Sequence, residues 1–103
     1  MLTREDAIKQ TIDFITACNQ SGIEIHKAIL FGSVAKNQHA EFSDIDVALI
    51  SNQFGNNSML NNRMTSKINI KFPLIEVHHF NTEYFNTGDP FITEINATGY
   101  LIC

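Results

Sequence analysis

The chain has 103 residues, of which 44% are hydrophobic and 17% charged, and its formal net charge is −4 at pH 7. This length accommodates one compact core, so we expect one domain over residues 1–103, and the apolar content excludes a disordered chain. The net negative charge argues against a surface that grips nucleic acid through many phosphates, so direct nucleic-acid binding is not expected.

The expected cellular location of the protein and the redox state of its cysteines also follow from composition. Charged residues interrupt the first ten positions, and no apolar run approaches the roughly 20 residues that span a bilayer, so we expect a cytoplasmic protein without membrane contact. The two cysteines, Cys18 and Cys103, are too few for a disulfide framework or a zinc site. They are predicted to be reduced thiols, with Cys18 in the core.

The first predicted element is a helix that begins at Thr3, which can cap it in a capping box with Asp6. It is expected to end near 20–22, where Gly22 allows a left-handed backbone. An apolar stripe at helical spacing is predicted to face the core. Its members are Ile8, Ile12 and Ile15, with Thr11 and Cys18 beside them.

Two strands and a polar spacer follow. The first strand is predicted from Glu24 to Phe31 and stops at a Gly-Ser pair; the second runs from Asp44 to Ser51. Between them, residues 34–38 are predicted as a short helix whose N-terminus lies at Ser33. Asp44 and Asp46 would project from one face of the second strand, because strand side chains alternate.

The paired carboxylates indicate a cation site. Two such groups in one small volume repel each other unless a proton or a cation lies between them, and hard Mg²⁺ prefers oxygen ligands. Gly32 lacks a Cβ and Ser33 carries a hydroxyl, so this turn offers a phosphate-bearing ligand a cradle beside the ion.

The rest of the chain reads as a loop over 52–57, a helix capped by Ser58, and a strand over 74–80. This helix carries an apolar stripe that we interpret as core packing, formed by Leu60, Met64 and Ile68. The residue at which the helix ends, before Pro73, stays undecided.

The C-terminal part is predicted to contain a short turn at 82–85 and a last helix, which is indicated by Asp89 as cap, Pro90 at the first helical position and Gly99 at the end. The tail 100–102 is expected to form a strand or a helical turn, or to face another protein.

Glu76 is the single acid of the third strand, on the same face as His78. A carboxylate buried there is costly unless it is paired or bound to a metal; the alternative, a Glu facing solvent on an edge strand, stays open. His78 could touch substrate or accept a proton, or be an ordinary half-buried histidine. His79 is a weak signal, and surface positions suffice for His26 and His39.

A strand that ends in Gly-Ser, a spacer of ten residues and Asp-x-Asp on the next strand together resemble the signature of the DNA polymerase β-like nucleotidyltransferase superfamily. Among its members, the chain is most similar to the minimal nucleotidyltransferases, the MNT proteins often paired with HEPN-domain partners. The resemblance implies an α/β (α+β) fold with helices packed on a small mixed sheet. It also implies transfer of a nucleoside monophosphate from ATP or another NTP, with two Mg²⁺ ions held by three acids.

The resemblance also assigns roles to residues. Many relatives read Gly-Ser-Arg-Ala-Arg-Gly, whereas this chain has Val34, Lys36 and Asn37 at the Arg and final Gly positions, so Lys36 keeps one charge without the planar fork of Arg. Glu76 takes the place of the third acid, as metal ligand, general base or both. The implied nucleotide contacts are Gly32, Ser33 and Lys36, and the implied metal ligands are Asp44, Asp46 and Glu76.

The expected acceptor is a hydroxyl supplied from outside, such as one on a HEPN-type toxin, with AMP as the transferred group. A domain of this size is also expected to pair with itself or with another chain. Three alternatives stay open: a non-catalytic antitoxin-like module that neutralises its partner by binding, a degenerate nucleotide-binding relative, and a small α/β domain whose Asp pair merely faces water.

Overall fold

The computed structural model describes residues 2–36 and 44–103. Within these ranges the elements are α1 (Arg4–Gln20), β1 (Lys27–Phe31), α2 (Gly32–Ala35), β2 (Ile45–Ser51), α3 (Ser58–Asn69), β3 (Ile75–Asn81), α4 (Thr82–Thr87), α5 (Pro90–Thr98) and β4 (Tyr100–Leu101). The strands form a four-stranded sheet of order β3-β2-β1-β4, in which β1 is antiparallel to β2 and β4 while β2 and β3 are parallel. This mixed sheet with packed helices confirms the predicted α/β class.

The sheet separates two apolar cores. Alternation along β2 sends Val47 and Leu49 into the core shared with α1 and α3, and sends Ala48 and Ile50 into the core shared with α4 and α5. Because both faces are covered, β2 is buried at six of its seven positions, and the exception is Asp46. The half-buried carboxylate of Asp46 in this buried strand is therefore the first structural indication of a functional site.

Helix α1 begins as predicted. The Thr3 hydroxyl accepts from the Asp6 N–H at 3.0 Å while the Asp6 carboxylate accepts from the Thr3 N–H at 3.2 Å. The predicted stripe is wrong at Ile12, which is 48% exposed, because the buried face is centred on Thr11 and Phe14 and successive residues turn by about 100°. Cys18 is buried, as expected.

Helix α3 is capped by Asn57 rather than by Ser58, because the Asn57 side chain accepts from the N–H groups of Met59 (3.0 Å) and Leu60 (3.2 Å). The predicted stripe is again rotated: Leu60 is 53% exposed and Ile68 is buried. The helix ends at Asn69, and a turn over 70–74 separates it from β3. The residues that α3 buries are Asn61, Thr65 and Ile68.

Several predicted boundaries shift. Strand β1 begins at Lys27 rather than at Glu24, whose N–H donates to the Gln53 side chain at 2.6 Å instead of to a strand. Strand β2 begins one residue after Asp44, and β3 begins one residue after Leu74. The short helix α2 starts at Gly32, before the predicted start, and positions 37–38 of that prediction lie outside the described residues.

The segment predicted as a turn at 82–85 is helix α4, because the Asn81 side chain caps it by accepting from the N–H groups of Glu83 (2.9 Å) and Tyr84 (3.3 Å). The last helix is confirmed: Asp89 accepts from the Ile92 N–H at 2.7 Å and Pro90 is the first helical residue.

Gly99 is the C-cap of α5, and glycine is required there because a Cβ would press on the Ile29 side chain and lie 3.2 Å from the Leu30 carbonyl oxygen. The tail then forms β4 beside β1, one of the two elements expected for it. In the two described stretches, every helix is too short or too polar to cross a membrane.

Candidate active site

The site lies at the start of the two parallel strands, where Asp46 on β2 is the register partner of Glu76 on β3. On its other side Asp46 pairs with Phe31, the last residue of β1, which is followed directly by Gly32. The sheet topology therefore places Asp46 between the Gly-Ser turn and the downstream acid.

Three side chains meet at this point. One ligand atom from each of Asp46, Glu76 and His78 lies within 4.8 Å of the other two. His78 Nε2 is 3.3 Å from Asp46 Oδ1 and 4.0 Å from Glu76 Oε1. The side chains of His78 and Asp46 are 29% and 26% exposed, whereas that of Glu76 is 57% exposed, so the cluster opens to solvent on the Glu76 side.

Gly32 is fitted to the Asp46 carboxylate. Its φ of +77° is a conformation that side chains with a Cβ rarely adopt. A Cβ built there would overlap Asp46 Oδ2 and lie 3.2 Å from Asp46 Cγ. Both the backbone conformation and the close approach therefore require glycine, and they set the turn directly against the carboxylate.

The aromatic rings of Phe31 and Phe91 pack against the His78 ring of the cluster. The His78 ring packs edge-on at 4.9 Å from the Phe31 ring and at 6.0 Å from the Phe91 ring, and the two Phe rings are 5.6 Å apart. The Cα partner of His78 on β2 is Ala48, whose small side chain leaves space for the imidazole to lean towards Asp46. Packing thus holds the ring where it contacts a carboxylate.

The other residues predicted for the site are placed as follows. Asp44 is exposed, directly precedes β2 and is not a member of the cluster. Because it lies outside the strand, strand alternation does not fix the direction of its side chain. Ser33 is half-buried in α2. Lys36 follows α2, and its Nζ lies 3.6 Å from Glu94 Oε1 on α5. Glu76 is exposed on the edge strand β3, so the expectation that it is buried is wrong, although it does lie beside Asp46.

His79 belongs to the opposite face of the sheet. Its Nε2 lies 2.9 Å from the Thr65 hydroxyl, and its ring packs edge-on against Phe54 at 4.8 Å. Burial lowers the pKa of His79 to about 4, with a smaller contribution from the adjacent His78. His79 is therefore a neutral structural histidine at neutral pH, and only His78 of the pair faces the acids.

Comparison with known proteins agrees with this geometry. Residues 7–103 match the family model of the polymerase beta nucleotidyltransferases. The chain belongs to this nucleotidyltransferase family. The fold is also similar to the crystal structure of a putative nucleotidyltransferase from Sulfolobus solfataricus, with a TM-score of 0.68 and 14% sequence identity over 95% of this chain and 80% of that chain. No curated protein matches the chain.

Members of this nucleotidyltransferase family generally use an NTP and a divalent metal, and the donors present here fit such an ion. Asp46 and Glu76 contribute carboxylate oxygens from adjacent strands, which are the ligands that Mg²⁺ prefers. The partial exposure of both side chains leaves room for water and substrate oxygens.

Sequence reasoning left the role of His78 open between a substrate contact and an ordinary half-buried histidine, and it did not assign Phe91 or Arg4 to this region of the nucleotidyltransferase domain. The signal for His78 was its position two residues after Glu76, on one strand face. No pattern indicated that Phe91 would pack on His78. Arg4 lies far away in sequence, yet its Nη2 donates to the Ala35 carbonyl at the end of α2 (2.6 Å) and its guanidinium lies 5.4 Å from the Tyr100 ring centroid.

Proposed function

We propose that this domain catalyses Mg²⁺-dependent transfer of AMP from ATP to a hydroxyl group on a partner protein, such as a HEPN-domain toxin. The observation that carries the proposal is the cross-strand pair of Asp46 and Glu76, in which Asp46 lies directly against Gly32. Family membership supports the transfer of a nucleotidyl group, and Asp46 adjoins a turn suited to phosphate.

In this proposal, Gly32 and Ser33 contact the triphosphate while Asp46, Glu76 and Asp44 hold the metal ions. Bound Mg²⁺ would supply positive charge to the triphosphate and the departing pyrophosphate. Asp46 is the fixed ligand, because it is enclosed by the neighbouring strands and the turn. Asp44, exposed directly before β2, would have to turn towards the ions to bind them.

Glu76 is suited to act as the base because it is the most exposed member of the cluster and faces the side from which an acceptor can arrive. The acceptor hydroxyl oxygen forms a bond to the α-phosphorus, the bond to the bridging oxygen of pyrophosphate breaks, and the hydroxyl proton passes to the Glu76 carboxylate. Lys36 would contact the triphosphate by leaving its exposed pair with Glu94, which costs little because surface ion pairs are weak.

The test is the intact mass of a co-expressed HEPN-domain protein after incubation with this protein, ATP and Mg²⁺. We expect a gain of one or more AMP units, abolished by Asp46→Asn and slowed about 10²- to 10⁴-fold by Glu76→Gln, which removes the base. Asp13→Asn, which alters an exposed acid of α1 remote in sequence from the cluster, should have no effect. Transfer that survives both site substitutions would contradict the proposal.

A second candidate function is neutralisation of the partner by binding alone. It is favoured by Val34, which is buried in the core at a position where many relatives carry Arg. The exposed residues Tyr100 and Leu101 on the edge strand β4 would suit a partner or a second copy. Neutralisation that persists in Asp46→Asn would select this function over AMP transfer.

A further inference from the structure

We propose that His78 is a third protein ligand of the metal site and gives it a preference for a borderline transition ion such as Zn²⁺ over Mg²⁺. The inference rests on the proposed function in one respect, namely that Asp46 and Glu76 hold a metal. It goes beyond that function because an imidazole changes which ion the site prefers.

The distances fit a shared ion. Ligand atoms that are each about 2.0–2.2 Å from one metal lie roughly 3 to 4.4 Å from one another. His78 Nε2 is 3.3 Å from Asp46 Oδ1 and 4.0 Å from Glu76 Oε1, and the whole group lies within 4.8 Å. A small rotation of the exposed Glu76 carboxylate is enough to bring all three donors onto one ion.

The imidazole is held in place for this role. Its ring packs edge-on against both the Phe31 and the Phe91 ring, at 4.9 Å and 6.0 Å, and Ala48 is its small neighbour on β2. Glu76 and His78 lie two residues apart on one face of β3, while Asp46 reaches them from β2. The three donors therefore come from two rigid, hydrogen-bonded strands rather than from a loop.

The chemistry of the donor set determines the preference. Two carboxylates alone suit Mg²⁺, whereas an added imidazole nitrogen favours ions of the Zn²⁺ class. Removing His78 should therefore cost Zn²⁺ affinity and have little effect on Mg²⁺ affinity.

The experiment is calorimetric titration of the chelator-treated, metal-free protein with Zn²⁺ alone and with Mg²⁺ alone. Because even indirect partners of a metal site contribute about 10- to 100-fold in affinity, His78→Ala should weaken Zn²⁺ binding at least that much. The matched control is His26→Ala, which removes an exposed histidine of the loop before β1 and should leave both affinities unchanged. Circular dichroism confirms that each variant folds.

A second variant separates ligation from mere positioning. His78→Gln can still donate a hydrogen bond to Asp46 but offers no imidazole, so it should lose the Zn²⁺ preference as His78→Ala does. With ¹⁵N-labelled histidine, Zn²⁺ should shift the Nε2 resonance of His78, and this shifted signal should be absent from both variants.

Unchanged Zn²⁺ affinity in His78→Ala, or wild-type affinity in His78→Gln, would overturn the inference and leave the proposed function standing. If the protein transfers no AMP with any metal yet shows His78-dependent Zn²⁺ binding, the proposed function falls and the metal preference is supported.

Discussion

At the scale of single residues, the site depends on how closely Gly32 approaches Asp46. The turn has a positive φ, and the missing Cβ is what allows the carboxylate to lie against the backbone. A side chain at position 32 would strain the backbone and would also press on the Asp46 carboxylate. A substitution there should therefore lower both the free energy of unfolding and the rate of nucleotidyl transfer.

We expect Gly32→Ala to lower the free energy of unfolding by about 1–3 kcal/mol, the usual range for a non-glycine residue in this backbone region. It should also abolish nucleotidyl transfer, because the new methyl group displaces the Asp46 carboxylate. Urea denaturation and the AMP mass assay measure the two effects.

Gly22→Ala is the matched control for Gly32→Ala. Gly22 has a φ of +90°, but a Cβ there would meet nothing within 4 Å. Its substitution should cost stability through backbone strain alone and leave transfer unchanged. If Gly22→Ala lowers transfer as strongly as Gly32→Ala does, the loss reflects stability rather than contact with Asp46.

The sequence predicted part of this site for physical reasons that can be stated. Side-chain alternation and the Gly-Ser turn are local properties, so an acid on β2 near that turn could be anticipated, whereas the role of Glu76 as its downstream partner came from the resemblance to the nucleotidyltransferases. Strand order is not local: β3 is the edge strand, which is why Glu76 is exposed rather than buried. The lean of His78 towards Asp46 depends on the opposing Ala48, a register that only the folded sheet reveals.

At the scale of elements, the N-terminal caps of α1 and α5 were predicted correctly, whereas the buried faces of α1 and α3 were not. The caps at Thr3 and Asp89 are bonds to backbone N–H groups three residues away, so a short window of sequence contains all the partners. The buried faces of α1 and α3 include Thr11 and Thr65, whose hydroxyls are satisfied by Ala7 and His79. A stripe chosen for its apolar residues therefore points slightly away from the true core.

This rotation of α1 can be tested with two identical substitutions. Ile15 is 6% exposed and Ile12 is 48% exposed. Ile15→Ala should lower the free energy of unfolding by about 2–5 kcal/mol, because it leaves a cavity in the core. Ile12→Ala should change it by less than about 0.5 kcal/mol, as expected for a surface position. Urea denaturation of both variants measures the difference. Equal losses of stability would mean that Ile12 faces the core, as the stripe predicted from the sequence requires.

At the scale of the whole molecule, the two cores are joined through the sheet. Strand β2 contributes to both, so unfolding either core uncovers the strand that carries Asp46. Cys18 lies fully buried in the first of these cores and offers a chemical reporter of its opening, whereas Cys103 is exposed.

Burial raises the pKa of Cys18 from an ordinary value of 9.0 to about 11. Between these two values the unfolded chain has released a proton that the folded chain retains, so the free energy of unfolding falls as pH rises from about 9 to about 11. The Cys18→Ala variant lacks this titration and should show a shallower fall, measured by urea denaturation at successive pH values.

The same burial governs reactivity, because only the thiolate is nucleophilic. At pH 8, an alkylating reagent should modify Cys103 rapidly, and mass spectrometry should find Cys18 modified slowly, only through opening of the core. Substitutions that destabilise the first core, such as Ile15→Ala, should accelerate Cys18 labelling about tenfold for each 1.4 kcal/mol of stability that they remove, since labelling through opening follows the population of the open form. Rapid labelling of Cys18 in the folded wild-type protein would show that α1 does not seal this core.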